Sequence, residues 1–124
     1  MDLKKLNLFL LSGFYVFAGI NHFINPAVYY GLIPDYLPFH EAINVISGGA
    51  EITLGFGVLY QKTRKWSSYF LIAMLCSFIP AHVYFIHIGS CIQGGLCVAE
   101  WVGWVRLLLV HPLLIWWAWS IRTI

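Results

Sequence analysis

Residues 66–89, WSSYFLIAMLCSFIPAHVYFIHIG, decide the fold, because this long run contains no Asp, Glu, Lys or Arg. A helix needs about 20 predominantly apolar residues to cross the hydrocarbon core of a bilayer. Three further stretches of similar length are also largely apolar: 6–24, 42–60 and 102–121. The sequence therefore predicts an all-α polytopic membrane protein, a single domain over 1–124 built as a bundle of four transmembrane helices.

The composition of the chain favours lipid as its solvent. Of its 124 residues, 60% are hydrophobic and only 10% are charged, whereas an ordinary soluble domain is about 25% charged. The mean hydropathy is +0.79. The net charge of +2 is small, and no long basic run could follow a phosphate backbone. We therefore expect a lipid bilayer as the main partner and no nucleic acid.

The basic residues predict the orientation, since Lys and Arg are enriched on the cytoplasmic side. Six of the seven lie before the first span, between the second and third, or after the fourth: Lys4, Lys5, Lys62, Arg64, Lys65 and Arg122. The opposite connections carry Asp35, Glu41 and Glu100 but no Lys or Arg. We therefore expect a multi-pass protein of the plasma (inner) membrane with both termini in the cytoplasm. Cleavage of the first span as a signal peptide after Ala18 is the minor alternative.

The first outer connection, 25–41, is rich in proline and in apolar side chains. It contains Pro26, Pro34 and Pro38, and proline excludes a continuous helix. We interpret this apolar outer loop as a lid over the mouth of the bundle. An ordinary segment lying at the membrane interface is an equally good interpretation.

One ionisable side chain stands out in each predicted span: His22, Glu51, His82 and Arg106. Such a group costs at least about 2.5 kcal/mol in lipid, so it usually faces the bundle interior and has a partner. At about 1.5 Å per residue, all four lie at or above the midplane, in the outer half. Glu51 and Arg106 are the only opposite charges within the spans, which predicts an ion pair between them.

Several neighbours are expected to join these four side chains. Asn21 belongs to the same cluster, Tyr15 shares the helix face of His22, and Phe78 flanks His82. Gly48 and Gly55 share the face of Glu51, and small residues permit a close helix approach. His87 and His111 are left out, because on an α-helix they lie about 140° around from His82 and Arg106. The cluster is interpreted as a ligand or redox site or, alternatively, as a structural lock.

Two of the three cysteines, Cys91 and Cys97, flank a glycine-containing loop in the last outer connection. An oxidising compartment permits a disulfide there, and we expect the bridge to close the mouth of the bundle. The spacing differs from a C-x-x-C motif, so thiol exchange is the minor interpretation. Two cysteines with scattered histidines do not give a zinc-finger spacing, and no metal site is predicted.

Four motifs resemble the DoxX-like family of small membrane proteins: Gly19-Ile20-Asn21-His22-Phe23, Ser47-Gly48-Gly49-Ala50-Glu51, Phe78-Ile79-Pro80-Ala81-His82 and Trp104-Val105-Arg106. The resemblance covers nearly the whole chain. It implies a four-helix membrane bundle in which Asn21, His22, Glu51, His82 and Arg106 occupy motif positions. The functions that it implies are varied, and they include subunits of a thiosulfate:quinone oxidoreductase, thiol and superoxide defence, and channel assembly.

Two functions follow from these observations. The first is a redox-associated membrane protein that binds a quinone-like or lipid-like molecule in the outer half, with His22, His82 and Arg106 donating to its carbonyl oxygens. The second is a non-enzymatic assembly or accessory factor for a partner membrane protein, in which the polar core is only structural. A small transporter ranks third. The sequence contains no nucleophile–base pair, so it predicts no catalytic residue. It leaves the enzyme class, the ligand and the choice between a homo-oligomer and another partner open.

Overall fold

A computed structural model describes residues 2–124, and in that range the chain is all-α and forms no strand. Its helical elements are α1 (Leu3–Ile24), α2 (Pro26–Leu32), α3 (His40–Gly57), α4 (Gln61–Ser77), α5 (Ile79–His87), α6 (Glu100–Val105), a π-helical segment (Arg106–Val110) and α7 (His111–Ile121). Local chemistry explains where two of these helices begin. The Asp2 side chain accepts from the Lys4 backbone N–H and caps α1, and Pro26 occupies the first turn of α2.

Three helices in the described part of the chain are long and apolar enough to cross a membrane: Leu3–Ile24, Gln61–His87 and Glu100–Ile121. The second joins α4 to α5, and the third joins α6, the π-helical segment and α7. The predicted count of four helices is wrong, because α2 is an additional helix in the outer connection. The predicted span that is missing from these three, 42–60, corresponds to α3, which includes Asn44 and Glu51.

The segments that carry most of the basic residues meet at one end of the bundle, which we call the basic end. Arg64 Nη1 donates to the Ile124 carbonyl at 2.6 Å and Arg64 Nε donates to the Val58 carbonyl at 2.8 Å. Trp117 Nε1 donates to Asn7 Oδ1 at 2.7 Å. The N-terminal turns of α1, the α3–α4 connection and the end of α7 are therefore held together. An apolar core lies toward this end: Leu8, Leu11, Tyr15, Val58, Leu71, Leu75, Ala118 and Ile121.

The opposite end, which we call the loop end, is formed by α2, residues 33–39 and residues 88–99. A Cβ added at Gly31 would lie 2.8 Å from Ile92 Cγ2, so α2 packs directly on the last connection. The Cys91 and Cys97 sulfurs are 2.05 Å apart, which is the distance of the disulfide that the sequence predicts. Between these ends, large apolar side chains such as Phe17, Phe70 and Leu108 are exposed. Soluble monomers rarely expose so much apolar surface, so the exterior suits lipid.

Candidate functional site

The site begins with the close approach of α1 and α3. A Cβ added at Gly19 would lie 2.6 Å from the Gly48 carbonyl oxygen, and one added at Gly48 would lie 2.7 Å from His22 Cβ. Glycine at both positions lets the two backbones touch, as the small residues beside Glu51 predict. This contact places His22 of α1 beside the turn of α3 that carries Glu51.

Asn44 holds His22 in a fixed orientation toward Glu51. The Asn44 Nδ2 donates to the His22 carbonyl at 2.9 Å, and the Asn44 Oδ1 lies 2.7 Å from His22 Nδ1. A carbonyl only accepts, so the amide orientation is fixed and His22 Nδ1 must be the donor to Asn44. His22 Nε2 is then directed at Glu51 Oε2, 3.5 Å away. All three residues are buried, with 7%, 2% and 7% exposure for His22, Asn44 and Glu51.

The predicted Glu51–Arg106 ion pair is wrong. Within residues 2–124, the ionic contact of Glu51 closer than 4 Å is with His22, not with Arg106. The Arg106 guanidinium lies over the Phe85 ring, 4.9 Å from its centroid. The tight α1–α3 contact explains the difference, because it provides a nearer partner for the carboxylate than any residue of the last helix.

The π-helical segment changes which residues share a face with Arg106. The His111 backbone N–H donates to the Arg106 carbonyl, five residues earlier. The wider turn reduces the offset of about 140° that a regular α-helix would give, so His111 lies closer to the face of Arg106. His111 Nε2 donates to the Leu75 carbonyl, and its ring meets His82 edge-on at 4.6 Å. Leaving His111 out of the cluster was therefore wrong. The sequence signal was Pro112, which cannot donate a backbone hydrogen bond inside a helix.

A cavity of about 610 Å³ lies between these side chains and the loop end. Its polar lining comprises His22, Tyr29, Asn44, Ser47, Glu51, Ser77, His82 and Arg106. Its apolar lining comprises Leu32, Ile33, Pro34, Tyr36, Leu37, Ile43, Phe78, Pro80 and Ala81. Five of the seven residues predicted for the polar core therefore line one space: His22, Glu51, Phe78, His82 and Arg106.

The other two predicted residues lie just outside the cavity. Tyr15 is buried in the apolar core and packs edge-on against Phe14. Asn21 Nδ2 donates to the Tyr29 hydroxyl at 2.7 Å, and the Tyr29 ring stacks on His22 at 3.7 Å. Asn21 therefore supports the site by positioning Tyr29. Tyr29 and Asn44 were missed because neither is charged at neutral pH, so their place in the sequence carries no intramembrane charge signal.

The proline-rich connection covers the cavity. Pro34 is fully buried, and its carbonyl accepts from the Leu37 backbone N–H at 3.0 Å and from His40 Nε2 at 3.1 Å. Ile33, Pro34, Tyr36 and Leu37 all line the cavity. We call residues 33–37 the lid, because this geometry favours that interpretation over an ordinary interfacial segment.

A second, shallower cavity of about 350 Å³ adjoins the first on the outer face of α5. Tyr36 and Pro80 line both spaces, so they form the wall between them. The remaining lining is Ile79, Val83, Tyr84 and His87. Because Val83 and Ile79 are exposed on a helix long and apolar enough to span a membrane, this cavity opens onto the apolar outer surface of that helix.

Two buried polar atoms that belong to residues lining the cavity lack hydrogen bonds. In the part of the chain that the structure describes, buried Glu51 Oε2 and buried Arg106 Nη1 have no hydrogen-bond partner. An unsatisfied buried polar group costs about 1–3 kcal/mol, and more when it is charged. Glu51 and Arg106 therefore bring incompletely satisfied polar side chains to the wall of the cavity.

Comparison with protein families assigns the chain. A family model described as a domain of unknown function, DUF8561, matches residues 11–122. The chain belongs to this family. No curated protein and no solved structure matches it.

The resemblance to the DoxX-like family is therefore wrong, because the family model that matches is DUF8561. The motifs behind that resemblance consist of glycines, prolines and single polar residues. Such residues recur at helix contacts and in polar interiors of membrane bundles generally, so they do not identify one family. The redox association that the resemblance implied loses its support with it.

Proposed function

We propose that this member of the DUF8561 family is a four-span membrane protein whose cavity binds a lipid-like or quinone-like amphiphile. The observation that carries the proposal is the cavity, where buried polar side chains and an apolar lid line the same space. Its volume of about 610 Å³ lies within the range of about 300–1,000 Å³ typical of small-molecule sites.

The side chains of α3 support a fourth span. Asn44 and Glu51 are buried, so the two most strongly polar side chains within the predicted span 42–60 face the protein interior. Val45, Ile46 and Phe56 are exposed on its outer surface and are all apolar. A helix that hides its polar groups in the bundle can cross a bilayer despite a modest average hydropathy.

The proposed orientation places the basic end in the cytoplasm and the loop end outside. The enrichment of Lys and Arg on cytoplasmic loops supports this direction. The Cys91–Cys97 pair at the loop end supports it as well, because disulfides persist in oxidising compartments. The cavity then lies in the outer half of the plasma (inner) membrane.

The lining suggests how an amphiphile would lie. Its polar head would contact His82 and Arg106. Its apolar tail would pass along Leu37 of the lid and Ile43 of α3. The tail would continue past Tyr36 toward the second cavity, which opens to lipid. A molecule that fills this site must have a polar end and an apolar end, which favours an amphiphile over a polar solute.

The test is to fill the cavity without changing its charges. Ala81 lines the cavity, whereas Ala73 of the same continuous helix is exposed on its outer surface. We expect native mass spectrometry of the purified protein to show a bound small molecule that Ala81→Phe loses and Ala73→Phe keeps. Equal occupancy in both variants, or no bound molecule in the wild type, would refute the proposal.

An assembly factor for another membrane protein is the second candidate. Its support is the loop end, where Phe39 is 79% exposed and has a φ of 59°. This left-handed conformation is uncommon for a bulky residue and presents an aromatic ring at the surface. The double variant Glu51→Gln with Arg106→Met separates the two functions: unchanged association with a co-purified membrane protein would favour an assembly factor with a purely structural core.

A further inference from the structure

The charge of Glu51 is already balanced inside the site. Since Asn44 fixes His22 Nδ1 as a donor, His22 Nε2 either carries a second proton or presents a lone pair to Glu51 Oε2. Two lone pairs facing one another at 3.5 Å in a buried place would repel. A proton held by either atom removes this repulsion, and the His22–Glu51 pair then has no net charge whichever of the two holds it.

The charge of Arg106, by contrast, is not balanced by a neighbouring acidic group of the described chain. Glu51 is the sole acidic residue among the described lining residues, and its ionic contact is with His22. The Arg106 guanidinium rests on the Phe85 ring, and its buried Nη1 has no hydrogen-bond partner within residues 2–124. An arginine keeps its charge in proteins. The cavity wall therefore includes one cation that has no ionic partner among the described residues.

We propose that the ligand is an amphiphile with an anionic oxygen head, a carboxylate or a phosphate monoester, held by Arg106. This inference rests on the proposed function and names the chemical class of its ligand. The planar guanidinium can give such a head two parallel hydrogen bonds, which are short and strong because both partners are charged. His82, which lines the same cavity, is placed to supply a further contact to the head. The lid and the second cavity accommodate the tail.

The experiment compares heads on one chain length. The purified full chain is titrated with palmitate, hexadecyl phosphate, hexadecanol and inorganic phosphate by isothermal titration calorimetry. We expect palmitate or hexadecyl phosphate to bind at least about tenfold more tightly than hexadecanol, the preference that a charge-assisted hydrogen bond supplies. Inorganic phosphate should bind more weakly than either, because it lacks the tail.

Two arginine variants and one control complete the test. Arg106→Met should abolish the preference for the anionic head, and Arg106→Lys should retain part of it, because lysine keeps the charge but loses the planar fork. Arg122→Met should bind like the wild type, since Arg122 lies on Trp119 at the basic end. If Arg106→Met does not fold, the intermediate preference of Arg106→Lys decides the matter.

Each outcome bears on a different claim. Equal binding of palmitate and hexadecanol would overturn the anionic head and leave the proposed function standing. Binding of none of the amphiphiles would refute the proposed function itself. Inorganic phosphate that binds as tightly as palmitate would show a site for small anions and overturn the amphiphile. A preference for palmitate that survives in Arg106→Met would show that another residue holds the head.

Discussion

Gly48 sets the geometry of the site at the scale of single residues. It touches His22 Cβ and the backbone of Gly19, so no side chain fits between α1 and α3 at this height. Gly49, its neighbour, is different: a Cβ added there would have no atom of the described chain within 4 Å. The pair gives a matched comparison between a glycine required by packing and one that is not.

We expect Gly48→Leu to destabilise the protein and Gly49→Leu to be tolerated. Forcing a side chain into a packed contact costs about 1–3 kcal/mol, whereas leucine at the open position has the better helix propensity. Thermal unfolding in detergent should show a lower midpoint for Gly48→Leu alone. Equal midpoints for the two variants would contradict the close α1–α3 contact.

Single residues also show what the sequence could predict of the site. His22, Glu51, His82 and Arg106 were found because an ionisable group inside a span is costly and must face the interior. The partner of Glu51 was not found, because charge alone favours Arg106. The actual contact depends on Asn44, whose role is visible only when the packing of α1 against α3 is known.

The π-helical segment, Arg106–Val110, decides the site at the scale of elements. It brings Arg106 and His111 toward one face of the last helix, where an uninterrupted α-helix would separate them by about 140°. Short π-helical turns are rare and are frequent at functional sites. The sequence predicts that this helix exists, but it gives only Pro112 as a hint of the irregular turn.

Removing one residue from this segment should turn Arg106 away from the cavity. Deletion of Leu108 would restore a regular helix and rotate the two halves by about 100° relative to one another. We expect palmitate binding to fall to the level of Arg106→Met, measured by calorimetry. Leu108→Ala is the control, because Leu108 is exposed and lines no part of the cavity. Wild-type binding by the deletion variant would show that the segment does not position Arg106.

The whole molecule has two unlike ends. An apolar core fills the region near the basic end, and the cavity lies beneath the loop end. The long apolar helices and the grouping of basic residues were predictable, because both depend on composition along the chain. The additional helix α2 was not, since it depends on how the first outer connection folds onto the bundle.

The orientation of these ends can be tested by labelling. In a Cys76→Ala background, we expect Asp35→Cys at the loop end to react with a membrane-impermeant maleimide in intact cells. Gln61→Cys at the basic end should react only after the cells are permeabilised, because the basic side of a membrane protein faces the cytoplasm. The reverse pattern would invert the proposed topology and place the cavity in the inner half of the membrane.

The most direct test of the ligand site is a crystal structure of the protein grown from a lipid mesophase, at a resolution that shows side chains. We predict elongated density in the cavity, with its head within hydrogen-bond distance of the Arg106 guanidinium and its tail directed past Tyr36 and Pro80. His22 and Glu51 should remain paired with one another. A cavity closed by a direct Glu51–Arg106 ion pair, with no bound molecule, would contradict the account.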